Sequence, residues 1–141
     1  RVLRAARFAA RFDFDVAPET MEIMREVVRS DDFHTLSSER IWKEVSRAMM
    51  TATPHRFFEV LDDCGALWIV FGENGASELR GQLDFMRDIP FHHRTESTVW
   101  MSVFHGINPM VADMVASRLK IPNELTEQIR FAAVQTLSVV E

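Results

Sequence analysis

Arg1, Arg4, Arg7 and Arg11 are the first residues of the chain whose type and spacing could do chemistry. On a helix, at about 100° per residue, Arg4, Arg7 and Arg11 fall within an arc of about 60°. Arg1 lies about 60° further round, beside Phe8 and Phe12. Val2, Leu3, Ala5, Ala6, Ala9 and Ala10 fill the rest of the circumference. A guanidinium offers a planar fork of donors, suited to paired contacts with phosphate or carboxylate. Such a stripe is either a solvated basic edge, bonded to Asp13, Asp15 or other nearby carboxylates, or a surface placed to meet phosphate, carboxylate or nucleotide.

The other candidate groups carry less. His92 and His93 with the distant His105 have the residue types of a zinc site. No acidic residue stands at a ligand spacing, however, and Gly106 follows His105 where a metal phosphohydrolase needs an aspartate. They read as loop and helix-end histidines, and no metal ligand is assigned. Cys64 is the single cysteine, so the chain forms no internal disulfide, in keeping with a reducing cytoplasm. It precedes Gly65 and follows Asp62 and Asp63, whose charges would raise its pKa, so it reads as buried and inert. There is no phosphate-cradling glycine loop, no GxSxG and no pair of catalytic aspartates. No catalytic residue is assigned.

The elements that position these groups read as helices throughout. The 141 residues are 47% hydrophobic and 26% charged, enough for a real core. The longest apolar run, ALWIVF at 66–71, is far too short to span a bilayer. The chain opens on Arg1 without an initiator methionine and is expected to be a piece of a longer protein. Its net charge of −5 argues against indiscriminate coating of nucleic acid but leaves room for a local basic patch. A first helix is expected over 1–12, and a second from Pro18 to about Arg29. A third follows Ser37 or Ser38, a fourth runs from Pro54 to the stop at Gly65, and others lie over 78–89, 96–104, 110–119 and 126–140. SDDFHTL reads as a turn. ALWIVFGENGAS is the one strand-like stretch, but it has no second run to pair with, so it reads as buried helix end and loop. The fold class is all-α.

Three stretches, in this order, resemble the bacterial tRNA nucleotidyltransferase (CCA-adding enzyme) and poly(A) polymerase family. RVLRAARFAARFDFDVAPETMEIM is similar to the family segment after the glutamate-aspartate-x-x-arginine motif. LSSERIWKEVSRAM is similar to the neck motif with its glutamate–arginine pair, and FFEVLDDCGAL to the following body helix. SVFHGINPMVADMVASRLKIPNEL resembles the body of shorter members. Only about 72–98 is unmatched.

The resemblance implies neck helices over 1–60 and a helical body over 61–141. Arg1 matches the arginine that ends the motif, which in the family bonds the base edge of incoming CTP or ATP; Arg1 and Arg4 are therefore expected on the nucleotide side. Arg7 and Arg11 are expected to meet RNA or the catalytic head. Glu39 and Arg40 match the neck pair and are expected to brace it. Trp42 reads as core rather than as an RNA-stacking platform. The family's two metal-bound carboxylates belong to a head this sequence does not contain. Mg²⁺ is thus expected in the parent enzyme and not here, and this piece alone is expected to transfer no nucleotide. The expected partner is tRNA, in the cytoplasm. The alternatives are the same region of a poly(A) polymerase, or a helical protein-interaction module with no RNA role.

Overall fold

Pro18, Pro54 and Pro109 each stand at the first turn of a helix, where a missing N–H costs nothing and the ring presets φ. In the computed structural model, which describes residues 1–88 and 95–140 and side chains as far as Ala133, the described residues form eleven helices and no strand. They are α1 (Val2–Phe12), α2 (Pro18–Val28), α3 (Asp31–His34), α4 (Ser38–Met49), α5 (Pro54–Asp63) and α6 (Leu67–Phe71). Then come α7 (Glu73–Arg80), α8 (Leu83–Arg87), α9 (Glu96–Phe104), α10 (Pro109–Leu119) and α11 (Asn123–Val140). His92, His93 and Arg94 lie outside the described residues.

Side-chain caps start α4, α9 and α10. Ser37 accepts from the Arg40 N–H, Thr95 from that of Thr98 and Asn108 from that of Met110. Gly65, at φ +83°, ends α5. Its N–H reaches the Asp62 carbonyl and the Ala66 N–H reaches that of Leu61 at 2.8 Å, so two orphan carbonyls are satisfied at a backbone angle glycine adopts freely.

Three details differ from the sequence reading. SDDFHTL contains a single helical turn, α3, pinned by the buried Phe33. The helix expected over 78–89 is broken at Gly81–Gln82 into the ends of α7 and α8. There the Gln82 amide donates to the carbonyls of Val103, at 3.1 Å, and His105, closing the last turn of α9. The last helix starts at Asn123, three residues before Thr126. Beyond these three, the GENGAS end of ALWIVFGENGAS, read as loop, is helical from Glu73 as the start of α7, while the apolar run forms α6. Arg118 of α10 donates to the carbonyls of Ile69 and Val70 at the end of α6.

The core is aromatic. Phe57, Phe58, Trp100, Phe104 and Met49 are fully buried, and each large ring removed would cost about 3–5 kcal/mol. Trp42 stacks on Trp100 at 5.3 Å between centroids, and Trp100 on Phe104 at 6.0 Å, which makes Trp42 a wall of the core. Buried side chains on both sides of residue 60 join in one cluster. Against it, α1 turns Ala6, Ala9 and Ala10, which have no exposed surface. Residues this small let its backbone lie close to α4 and α5.

That close packing fixes how α1 and α4 run. Arg7 meets Glu44. Thr53, just past α4, donates both its N–H and its hydroxyl to the carbonyl of Ala10, near the end of α1. Arg1 and Arg4 share a recess with Arg40. The two helices therefore lie side by side and parallel.

Candidate functional site

The i, i+3, i+7 spacing of Arg4, Arg7 and Arg11 recurs in α4 as Arg40, Lys43 and Arg47. Because the helices are parallel neighbours, the two stripes flank one seam. Across it Arg7 Nε donates to Glu44 Oε2 at 2.7 Å, with only 14% of either side chain exposed. Arg7 also lies 4.9 Å above the Phe8 ring. Arg1, Arg4, Arg11, Arg40, Lys43 and Arg47 are exposed, and among the described residues none of them pairs with a carboxylate. At the start of the seam, Arg1, Arg4, Arg40 and Lys43 line a recess of about 300 Å³, floored by Leu3 and Leu36.

Elsewhere most of the described arginines are committed. Arg56 takes Asp15 at 3.1 Å, Asp13 at 3.6 Å and Glu59 at 3.7 Å. Arg25 binds Glu22, Arg80 binds Asp62, Arg87 binds Glu59 and Asp84, and Arg130 binds Asp113. Arg29, Arg118 and Lys120 are the other exposed cations without a carboxylate among the described residues, and Arg118 is taken by the carbonyls of Ile69 and Val70. In a chain with 21 acidic and 16 basic side chains, six unneutralised cations on one face concentrate positive potential there.

The residues singled out by sequence thus fall into two groups. Arg1, Arg4 and Arg40 come together in the recess, with Arg11 further along the same face. Arg7 turns inward to Glu44. Glu39 and Arg40 open α4 but form no ion pair among the described residues; the link between the two helices is Arg7–Glu44, one turn on. Asp13 and Asp15 go to Arg56 rather than to the α1 stripe. Lys43 and Arg47 escaped the sequence reading, although their spacing copies that of α1.

Beside the stripe, Phe8, Phe12 and Phe14 form an outward ladder with centroids 6.4 and 6.1 Å apart, and Arg11 lies 5.1 Å above the Phe12 ring. Phe12 is 58% exposed. Aromatic rings interleaved with guanidinium groups can stack bases while cations hold phosphates.

The remaining candidates are structural. Burial, helped by the neighbouring Asp63 charge, pushes the Cys64 thiol up. His105 stacks on Phe85 at 5.2 Å. Among the described residues no three His, Cys, Asp or Glu side chains come together as metal ligands, and no helix is long and apolar enough to cross a membrane.

Comparison with known proteins adds an independent line. Residues 13–74 match the family model described as "Probable RNA and SrmB- binding site of polymerase A". That range holds the α4 stripe but not the α1 stripe. The chain is 38% identical over 130 residues to a CCA-adding enzyme of Pseudomonas putida, covering 90% of this chain and 35% of the relative. It is 41% identical over 134 residues to the multifunctional CCA protein of Nitrosospira multiformis, covering 94% of this chain and 28% of that relative. Over 74 residues, 52% of this chain and 17% of the relative, it is 55% identical to the multifunctional CCA protein of an Acidovorax species. The chain thus spans about a third or less of the length of these relatives. No solved structure matches it significantly.

Proposed function

Because the chain belongs to the CCA-adding enzyme and poly(A) polymerase family, we propose that it is the neck and body region of a tRNA nucleotidyltransferase. In this reading the α1/α4 face binds the phosphates of the tRNA acceptor arm. Arg1 and Arg4, at the open end of the seam, border the pocket where CTP or ATP is selected. A guanidinium can face the acceptor edge that cytosine and adenine share, which makes Arg1 half of a pairing template. Arg40 and Lys43 sit on the opposite wall of the same recess and suit the triphosphate or the RNA end.

The observation that carries this reading is the row of six unpaired cations on an acidic chain. Recognition of a folded RNA arm by its backbone needs such a row and no base readout. In this reading, as the family resemblance implies, the metal that nucleotidyl transfer calls for is held by carboxylates outside this chain. Transfer itself is assigned to residues of the longer protein. The words "polymerase A" in the matching family description support a second reading, the same region of a poly(A) polymerase.

Anisotropy titration of labelled tRNA with the chain at rising KCl tests the RNA role. Log K should fall against log salt with a slope of about −4 to −5 for some six phosphate contacts. Replacing Arg4 or Lys43 by alanine should each make the slope shallower by about 1. Absence of binding even at low salt would favour a protein-interaction module and overturn the proposal.

A further inference from the structure

A second recess adjoins the basic one at Leu36. Leu36 also lines a cavity of about 220 Å³ beside α3. His34, Trp68 and Ile69 line both that cavity and a cleft of about 380 Å³ between α2 and the α5–α6 corner. The three recesses therefore adjoin in a row from the α1/α4 face to Trp68, sharing Leu36 and then His34, Trp68 and Ile69 as walls.

Trp68 is the odd residue of α6. Leu67, Ile69, Val70 and Phe71 are buried, whereas the indole stays 45% exposed, with His34 edge-on at 6.0 Å. Of the charged groups on the cleft walls, Asp62 is held by Arg80. Arg25 is held by Glu22 and the Asp63 carbonyl. Arg29 and the Asp63 carboxylate keep no ion pair among the described residues. What remains to a ligand is an aromatic plate, one cation and one acceptor.

These three groups complement one nucleotide. Its base can stack on the indole, its phosphate can meet a guanidinium, and an exocyclic amino group can donate to a carboxylate. We propose that the Trp68 cleft takes an unpaired nucleotide of the RNA held on the α1/α4 face, with its base on Trp68 and its phosphate at Arg29. This inference rests on the RNA reading above. It is favoured over a protein partner by the row of adjoining recesses that links the cleft to the cationic face and by Arg29, which has no carboxylate partner among the described residues.

The test uses the 141-residue chain with two RNA probes, a blunt hairpin and the same hairpin carrying four unpaired nucleotides. The wild-type chain should bind the extended hairpin more tightly. Trp68→Ala should lower affinity for the extended hairpin about 5- to 100-fold, the range of one lost stack, and leave the blunt hairpin within twofold. Trp68→Phe, which keeps a ring, should recover most of the loss and controls for folding. Arg4→Ala should weaken both probes alike. If Trp68→Ala binds both hairpins like the wild type, the stacking site is overturned while the RNA reading stands. If the wild-type chain binds neither hairpin, both fall together.

Discussion

Arg7 and Arg4 lie one turn apart on the same stripe, yet they face different surroundings. Arg7 and Glu44 are almost enclosed, so removing either leaves a charge with a poor substitute for its partner. Arg4 is solvated and has no carboxylate to lose. Arg7→Ala should therefore cost about 1–3 kcal/mol in urea unfolding, and Arg4→Ala less than about 0.5 kcal/mol. The double-mutant cycle of Arg7→Ala with Glu44→Ala should show a coupling above about 0.5 kcal/mol. Equal costs for Arg7→Ala and Arg4→Ala would mean that the pair does not hold the two helices together in solution. Arg40, expected as a neck brace, is exposed like Arg4 and has no carboxylate partner among the described residues, so Arg40→Ala should cost less than about 0.5 kcal/mol and show instead in RNA affinity.

Helices meet closely where α7 packs on α10. A Cβ built on Gly75 would stand 2.9 Å from Val115 Cγ2 and 3.2 Å from Phe71 Cβ. Alanine gains up to about 1 kcal/mol of helix propensity over glycine. Here that gain is outweighed, because the Val115 methyl sits on a stiff β-branched side chain in a packed core. Gly75→Ala should lower stability by about 1–2 kcal/mol in thermal or urea unfolding, and a stabilised variant would show that α7 and α10 can part without cost. The same scale separates what the sequence reveals from what it hides. Helix starts at Pro18, Ser37, Pro54 and Pro109 and the stop at Gly65 were legible because local chemistry decides them. The break at Gly81–Gln82 was not, since Gln82 leaves the helix to close the end of α9, far along the chain. Likewise both cation stripes are visible as spacings. That they flank one seam depends on the parallel packing of α1 and α4, and the inward turn of Arg7 depends on where Glu44 lies.

At the scale of the whole molecule, one network ties the N-terminal part to the body. Arg56 gathers Asp13, Asp15 and Glu59, and Glu59 also takes Arg87 and lies 3.8 Å from His55 Nε2. Burial lowers the His55 pKa below its ordinary 6.5, with Arg87 and Arg56 adding to the effect and Glu59 opposing it. The unfolded chain therefore binds more protons than the folded one just below pH 6.5. Stability should be full above that value and should fall as pH drops from 6.5 towards the lower folded pKa. Melting temperatures between pH 7.5 and 5.5 should show this decline, and His55→Gln should flatten it; an unchanged slope would move the effect to another group. The two hydrogen bonds that Thr53 donates to the Ala10 carbonyl have a consequence in time rather than in energy. An isolated helix of eleven residues is marginal in water, and the surfaces that cover Ala6, Ala9 and Ala10 lie in α4 and α5. During vectorial synthesis α1 is made before α4 and α5 and must wait, unclosed, until the chain beyond Thr53 exists. The α1 arginines are thus made ahead of the surfaces that give them their place, and a loop of some forty residues must close before they are set.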